Sequence, residues 1–387
     1  MKFSCNREEI IKNLNIAQRA TDPKSNISVL RNVLFDLRTD RLHLIGFDHR
    51  IGIRTSLACT VEKEGAITVP CTLLLEVLSV MTDDNVYFTL DDSVLTMECG
   101  KSKYHFHCIT AEDFPPFPKD SGGKSFAVDA ALLEQAVRRT IFATNPDDPR
   151  AFIGGVFMTA EGGDLVFVST DMHRLTYCKV PEQNVTFEQK GIIIPTRTLG
   201  ELLRILSAAA KPEKEPAKTE KTEKEEEKKT GAKLTVTVQS DSVAFDIDGV
   251  YMISRIIKAD YPNYDKVLPS MSMGTCRVAR GRLISAVRGA SIMARAKESQ
   301  NIIECAILDN DIQLTASTQD IGSAIEEVDI DKKGKNIKAT FNSRYLLEFL
   351  NVVDDDEIII DYTEELKAML FHTDTPNYKY VLMPIKV

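Results

Sequence analysis

The sequence predicts an α+β protein made of three tandem copies of one domain, each copy consisting of two β-α-β-β-β units. Three observations carry this reading. A segment recurs in register, with Val69-Pro70 leading to Glu76-Val77-Leu78, Ile194-Pro195 to Glu201-Leu202-Leu203, and Phe341-Asn342 to Glu348-Phe349-Leu350. Other segments recur in the same order, because Phe3-Ser4-Cys5, Phe126-Ala127-Val128 and Cys276-Arg277-Val278 each open a copy ahead of a helical pattern. Such ordered self-similarity at long period marks repeated structural units. The third observation is the spacing. Glu76 and Glu201 lie 125 residues apart and Glu201 and Glu348 147, so the second copy carries about 22 extra residues. Lys211 to Lys229, almost pure Lys, Glu, Pro, Ala and Thr, supplies them. With seven Lys and seven Glu this stretch has nothing to bury in a core, and it reads as a loop extension.

The first copy shows the unit in detail. Ile10, Ile11, Leu14 and Ala17 repeat at helical spacing after a short strand. Strands are expected at Val33 to Leu37, Arg41 to Ile45 and Ile53 to Thr60, with turn residues such as Thr39-Asp40 between them. Ala66 to Val69 then starts the second unit as a strand, followed by a helix over Cys71 to Met81. Strands close the unit at Val86 to Leu90, Val94 to Cys99 and Tyr104 to Ile109. The copies are expected at 1–120, 121–255 (with the insertion 211–230) and 256–387. A chain of 387 residues suits such a division.

Composition excludes several classes. No apolar run of about 18 residues occurs, and charge interrupts Met1-Lys2-Phe3-Ser4-Cys5-Asn6-Arg7 before a signal-peptide core can form, so a cytoplasmic protein is expected. The eight cysteines contain no C-x-x-C pair, which argues against a disulfide framework and against structural zinc. His173 beside Asp171 and Arg174 is the best catalytic candidate. No nucleophile elbow, phosphate-binding loop or dinucleotide fingerprint accompanies it, and the other histidines lack metal-ligand spacing. No enzyme activity, cofactor or metal is expected.

Charge is distributed unevenly. The expected helices 7–20, 71–81, 129–144, 196–211, 279–298 and 343–353 together carry +6 in a chain of net charge −9, leaving −15 for the rest. Arg138, Arg139, Arg197, Arg204, Arg280, Arg282, Arg288, Arg295 and Lys297 dominate the basic set. If both helices of every copy lie on one side, they form a positive field that attracts phosphates without reading bases. For any single arginine an ordinary solvated helix face is the stronger explanation, and only the collective sum and the repeat favour DNA.

Four further segments carry a family resemblance: Met1-Lys2-Phe3, Ser169-Thr170-Asp171-Met172-His173-Arg174-Leu175, Tyr261-Pro262-Asn263-Tyr264-Asp265-Lys266-Val267-Leu268-Pro269, and Tyr380-Val381-Leu382-Met383-Pro384-Ile385-Lys386-Val387. Over essentially its whole length apart from the insertion, the chain resembles the β subunits of bacterial DNA polymerase III, the β sliding clamps. The resemblance implies a head-to-tail homodimer, a six-domain ring with helices lining the hole. It implies double-stranded DNA as a partner without sequence preference, together with polymerases, a clamp loader and repair proteins. Lys24 matches a DNA-contacting basic position and Arg197 keeps its counterpart, whereas Thr72 stands where a basic residue is usual. The dimer contacts implied are Tyr104, Phe106 and Ile109 on one subunit against Ile292 and Met293 on the other, which as plain sequence read equally well as core.

The resemblance also implies a hydrophobic groove for short peptide motifs. It is lined by Ile153, Thr170, Met172, His173, Arg174, Leu175, Pro262, Lys266, Val267, Leu366, Ala368, Val381, Leu382, Met383 and Pro384, with Arg150 and Phe152 near its entrance. An apolar groove with a few polar orienting groups suits an extended peptide. Met172 departs from the family, which usually has glycine there. The alternative function is a monomeric repeat scaffold that binds proteins without encircling DNA.

Overall fold

The computed structural model describes residues 1–118, 122–181, 183–187, 190–209, 233–269, 271–294, 301–318 and 322–386. The insertion 211–230, Arg295 and Lys297 lie outside the described residues. Among the described residues the chain forms six α-helices: α1 (Arg7–Ala17), α2 (Cys71–Ser79), α3 (Ala130–Ile141), α4 (Thr196–Ala209), α5 (Arg280–Met293) and α6 (Ser343–Val352). The chain divides into two compact units, Met1–Ala131 with Gly200–Ile256, and Leu132–Leu199 with Ile257–Val387. Each unit therefore holds one outer copy and part of the middle one. Among the described residues no helix is long and apolar enough to cross a membrane, and no three His, Cys, Asp or Glu side chains are grouped to hold a metal.

In the first unit a five-stranded sheet runs in the order Thr60–Lys63, Lys2–Asn6, Asn85–Asp91, Val94–Cys99, Ser102–His107. A nine-stranded sheet crosses from the first copy into the second where Ile51–Ala58 pairs antiparallel with Val250–Arg255, Gly52 lying opposite Ile253. The core sits between the two sheets and helices α1 and α2. Phe3, Phe88 and Met97 from one sheet meet Phe35, Leu44 and Leu57 from the other, and Ile10, Leu14, Leu74 and Leu78 fill the space between. Asn6 caps α1, its side-chain oxygen accepting from the N–H groups of Glu8 at 2.9 Å and Glu9 at 3.1 Å. The acidic Glu8 and Glu9 also suit the positive helix N-terminus.

Two expected strands prove to be two strands each. The stretch Ile53 to Thr60 breaks at Cys59, where the chain leaves the nine-stranded sheet and enters the five-stranded one. Tyr104 to Ile109 breaks at Cys108 for the same reason, so Ile109 pairs with Thr68 in the other sheet. Alternating apolar residues continue through both crossings, which is why the pattern alone reads as unbroken strand.

The second unit holds one twelve-stranded sheet. It passes from copy two to copy three where Arg174–Val180 pairs with Tyr378–Leu382, Leu175 lying opposite Val381. Strand Gly322–Gly334 bends the sheet, because its first part pairs with Asp311–Thr318 and its last part with Gly274–Ala279.

The copy-one segment Phe114-Pro115-Pro116-Phe117 repeats as Tyr261-Pro262-Asn263-Tyr264 in the second unit. In the first unit Phe117 folds onto the sheet. A Cβ on Gly52 would lie 2.7 Å from its ring, and the ring also packs 6.1 Å from Phe47 and 6.2 Å from Tyr251 between centroids.

Gly46 permits α1 to lie on its sheet, since a Cβ there would sit 2.1 Å from the Ala17 carbonyl oxygen. Gly46→Ala must push the helix off the strand. It is expected to destabilise the first unit by about 1–3 kcal/mol, read as an earlier urea midpoint.

Candidate functional site

The site begins at a tight turn. Strands Asp164–Thr170 and Arg174–Val180 are joined through Asp171, Met172 and His173. Asp171 Oδ1 accepts from the N–H of His173 at 3.0 Å and of Arg174 at 3.1 Å. Thr170 Oγ1 accepts from the Met172 N–H at 3.0 Å and donates to the Arg174 carbonyl at 2.7 Å. These bonds hold Met172 at φ 74°, in the left-handed region. The glycine common in the resembling family thus answers a backbone demand, and Met172 meets it at a cost in strain. Copy one repeats the turn, with Asp48 Oδ1 accepting from Arg50 and Ile51 and His49 at φ 69°.

Beyond the turn, strand alternation sorts the side chains onto two faces. Arg174 points toward the helices and is 6% exposed. Its guanidinium donates to Asp171 at 2.9 Å, to Glu348 on α6, and to the Phe142 carbonyl at 2.6 Å, and it stacks 4.2 Å from the Tyr345 ring centroid. Its burial opposes the charge, but the electrostatic influence of Tyr380, Asp171 and Glu348 outweighs that and raises its pKa further. Expected as groove lining, Arg174 is instead buried on the helix face, and Leu382, which lies opposite it in the ladder, and Ile153 are fully buried as well.

Leu175, on the opposite face, joins Phe157, Val166, Val168, Tyr177, Ile193 and Val381 in an apolar cluster, with Phe152, Tyr261, Leu268, Ala368 and Leu370 packed against it. Of the expected groove residues, the structure brings Leu175, Val381 and Ala368 together here. Thr170 is buried at the turn and Pro384 half-buried near the chain end. Met172, His173, Pro262, Lys266, Val267, Leu366 and Met383 are exposed. The Met383 N–H donates to the His173 carbonyl at 2.9 Å and fixes the terminal strand beside the turn. Arg150 holds the Asp148 carboxyl down to about 2 through hydrogen bonds.

A neighbouring cleft of about 730 Å³ is lined by Phe157, Thr159, Lys190, Gly191 and residues 259–265, of which sequence reasoning named only Pro262 as a groove residue. Phe157 stacks on Tyr261 with centroids 4.6 Å apart, and Gly191 leaves them room, since a Cβ there would sit 2.6 Å from the Phe157 ring. Glu161 accepts from the hydroxyls of Tyr177 at 2.8 Å and Tyr264 at 2.6 Å. Burial, followed by this carboxylate, raises both phenols above the ordinary range. The repeated Tyr-Pro-Asn-Tyr segment was the signal that could have found the cleft.

The basic residues divide. Lys24, Arg138, Arg197, Arg204 and Arg282 are exposed. Arg280 is half-buried, donating to the carbonyls of Asp355 at 2.9 Å and Leu350 at 3.0 Å. Arg139, expected on the exposed basic face, is 8% exposed, its guanidinium 5.1 Å from the Tyr378 ring centroid. The position falls on the inward stripe of α3 beside Ala136 and Thr140, so its charge is spent in the interior. Among the expected dimer contacts Ile292 is 61% exposed and Met293 half-buried. Phe106 is 3% exposed and belongs to the core of its own copy, with Tyr104 packed against the same core and Ile109 half-buried in a smaller cluster. The outward residues of that strand are Lys103, His105 and His107.

Comparison with known proteins gives three matches to models of the DNA polymerase III beta subunit: its N-terminal domain over residues 1–118, its central domain over 127–214 and its C-terminal domain over 265–386. A beta sliding clamp from Synechococcus elongatus and one from Treponema pallidum are each 28% identical over 392 residues, covering 100% of both chains. The crystal structure of a sliding clamp (DNA polymerase III subunit beta) from Pseudomonas aeruginosa bound to griselimycin superposes with TM-score 0.89 at 23% identity, covering 100% of each chain.

Two outcomes test this geometry. Arg174→Leu leaves two carboxylates without their cation and is expected to cost about 3–5 kcal/mol in urea unfolding. Met172→Gly relieves the left-handed strain of an exposed side chain and is expected to raise stability by up to about 1 kcal/mol.

Proposed function

The chain belongs to the DNA polymerase III beta subunit family, and on that premise we propose that it is a DNA sliding clamp whose two copies close head to tail around duplex DNA. One observation carries the closure. In α4, Glu201 is paired with Arg19 of the first copy at 3.3 Å, and Ile205 is 3% exposed. In α6, Glu348 is held by Arg174 of the second copy, and Tyr345 lies under that guanidinium. The registered positions of α2 have no such cover: Leu73 is 51% exposed, Val80 70%, and Glu76 is exposed as well. A stripe covered by the preceding copy twice and left bare once calls for a preceding copy from another chain. A heterologous contact of this kind closes into a ring when the rotation permits.

Two strand edges support the same pairing. Ser102–His107 ends its sheet and presents Lys103, His105 and His107. In the third copy, residues 322–329 pair on one side only, with Asp311–Thr318, and carry Glu326, Glu327 and Asp329 beside the exposed Ile325 and Ile292. Pairing of these two edges removes a liability to aggregation. The interface so drawn uses Leu73, Val80, Ile292, Met293 and backbone edges, with Tyr104, Phe106 and Ile109 as support.

Exposed Lys24, Arg138, Arg197, Arg204 and Arg282 face the DNA in this reading and contact phosphates without selecting sequence. The groove around Leu175 and Val381 takes short peptides of polymerases, the clamp loader and repair proteins, with Met172 and Met383 as adaptable walls. The three copies keep the bounds 1–120, 121–255 and 256–387. The protein works in the cytoplasm as an accessory subunit without a catalytic site of its own, and an ATP-driven loader opens the ring.

The solution mass is expected to be that of a dimer, and Leu73→Asp with Val80→Asp is expected to give a folded monomer. Loaded protein is expected to stay on circular DNA and slide from linear ends; equal retention on both would sink encirclement, and a monomer with intact peptide binding would favour a scaffold. Replacing Met383 and Pro384 by Ala is expected to weaken griselimycin binding about tenfold, since each loses apolar contact, with dimerisation unchanged.

A further inference from the structure

All eight cysteines are free thiols, and one pair stands apart from the rest. Strands Lys2–Asn6 and Thr60–Lys63 run antiparallel with Ser4 opposite Thr60, which makes Cys5 and Cys59 the next opposed positions. Opposed residues of an antiparallel pair point to the same face with Cα atoms about 4.5–5.5 Å apart, inside the span of about 4.4–6.8 Å that a disulfide bridges. Cys5 is 6% exposed within the core of the first copy, whereas Cys59 is half-buried and packs against that core from its edge. The two thiols act on one another's titration, and the Cys59 thiol also donates to the Leu57 carbonyl at 3.8 Å. Cys59 sits where the chain crosses between sheets, its N–H donating to the Asp40 carbonyl at 2.9 Å.

The surroundings separate the roles of the two sulfurs. Burial pushes Cys71, Cys276 and Cys305 up to about 12 and Cys108 and Cys178 up to about 11. Cys59 moves the other way. The interaction with Cys5, a backbone hydrogen bond at Leu42 and the nearby Arg41 guanidinium all favour its thiolate against the effect of burial. The same interaction, followed by burial, keeps Cys5 protonated. A partly accessible, electropositive thiol backed by a buried one is the arrangement of an attacking and a resolving cysteine.

We propose that Cys5 and Cys59 form a modification site for small-molecule disulfides, which oxidise the pair to a cross-strand bond inside the first copy. The Cys59 thiolate attacks one sulfur of the reagent R–S–S–R, whose S–S bond breaks, and the departing thiolate takes up the proton that Cys59 released. Cys5 then gives up its proton and attacks the Cys59 Sγ of the mixed disulfide. The Cys5–Cys59 bond forms, and the second R–S⁻ leaves and is protonated. Two protein thiols are oxidised and one disulfide is reduced to two thiols, with no other co-reactant. The bond ties the N-terminal strand to the corner between the two sheets, closing a loop of about 54 residues, a constraint on the unfolded chain.

The test treats the full-length protein with oxidised glutathione, alkylates the remaining thiols, and maps disulfides by mass spectrometry after digestion. The expected result is a loss of two of eight alkylatable thiols and a single Cys5–Cys59 cross-linked peptide. Cys5→Ser, with Cys5→Ala as a second variant should the hydroxyl disturb the core, is expected to trap one glutathionyl group on Cys59. Cys59→Ser is expected to leave Cys5 unmodified. Circular dichroism shows that each variant is folded. A mixed disulfide at Cys59 that persists in the unsubstituted protein, first reaction at any other cysteine, or no reaction at all would overturn the proposal.

Discussion

Strand Arg174–Val180 and the terminal strand Tyr378–Leu382 are far apart in sequence yet adjacent in one ladder, with Leu175 opposite Val381 and Arg174 opposite Leu382. Everything at the candidate site follows from that register. Because side chains alternate, the pairing that puts Leu175 and Val381 on the groove face must put Arg174 and Leu382 on the helix face. A slip of one residue would carry the Arg174 guanidinium onto the apolar face and the pair Leu175 and Val381 onto the helix face. The register is held from below by Arg174, whose bonds to Asp171, Glu348 and the Phe142 carbonyl join a turn of one copy to a helix of the next.

That arrangement also explains why the site tolerates strain at Met172. Asp171 and Thr170 together accept three backbone N–H groups around the turn, and Asp171 is itself pinned by Arg174. The turn is over-determined, so an unfavourable φ at one residue does not undo it. The result is an exposed, flexible thioether at the turn, with a second at Met383 on the terminal strand beside it. Such side chains adapt to different apolar groups more readily than rigid ones would.

Much of the architecture was legible in the chain. The registered glutamates marked α2, α4 and α6, and two of the three mark contacts between successive copies, a role that their spacing alone did not reveal. Strand breaks at Cys59 and Cys108 were not legible, since apolar alternation continues while the chain changes sheets. Arg139 and Phe106 were misassigned for a shared reason. Residue type suggests what a side chain can do, but only helix phase or strand face decides where it points, and both lie on inward stripes. The cleft beside Tyr261 was hidden because its walls come from three separated segments, Phe157 to Thr159, Lys190-Gly191 and 259–265.

Phe117 and Gly52 bear on valency. Three repeated copies create two equivalent junctions within the chain, and each carries the same strand pairing and the same aromatic-proline segment. At the first junction the chain lays its own Phe117 over the sheet, with Gly52 leaving the space. At the second, the position of Gly52 is taken by Leu175, and the corresponding Tyr264 donates to Glu161 and packs 6.3 Å from Phe157 and 6.2 Å from Tyr177 between ring centroids. The two junctions therefore differ, and a peptide groove of the kind proposed above would occur once per chain. Proteins that share a closed two-chain ring would have to divide two places among them, and order of arrival and rate of departure would decide who works at the DNA.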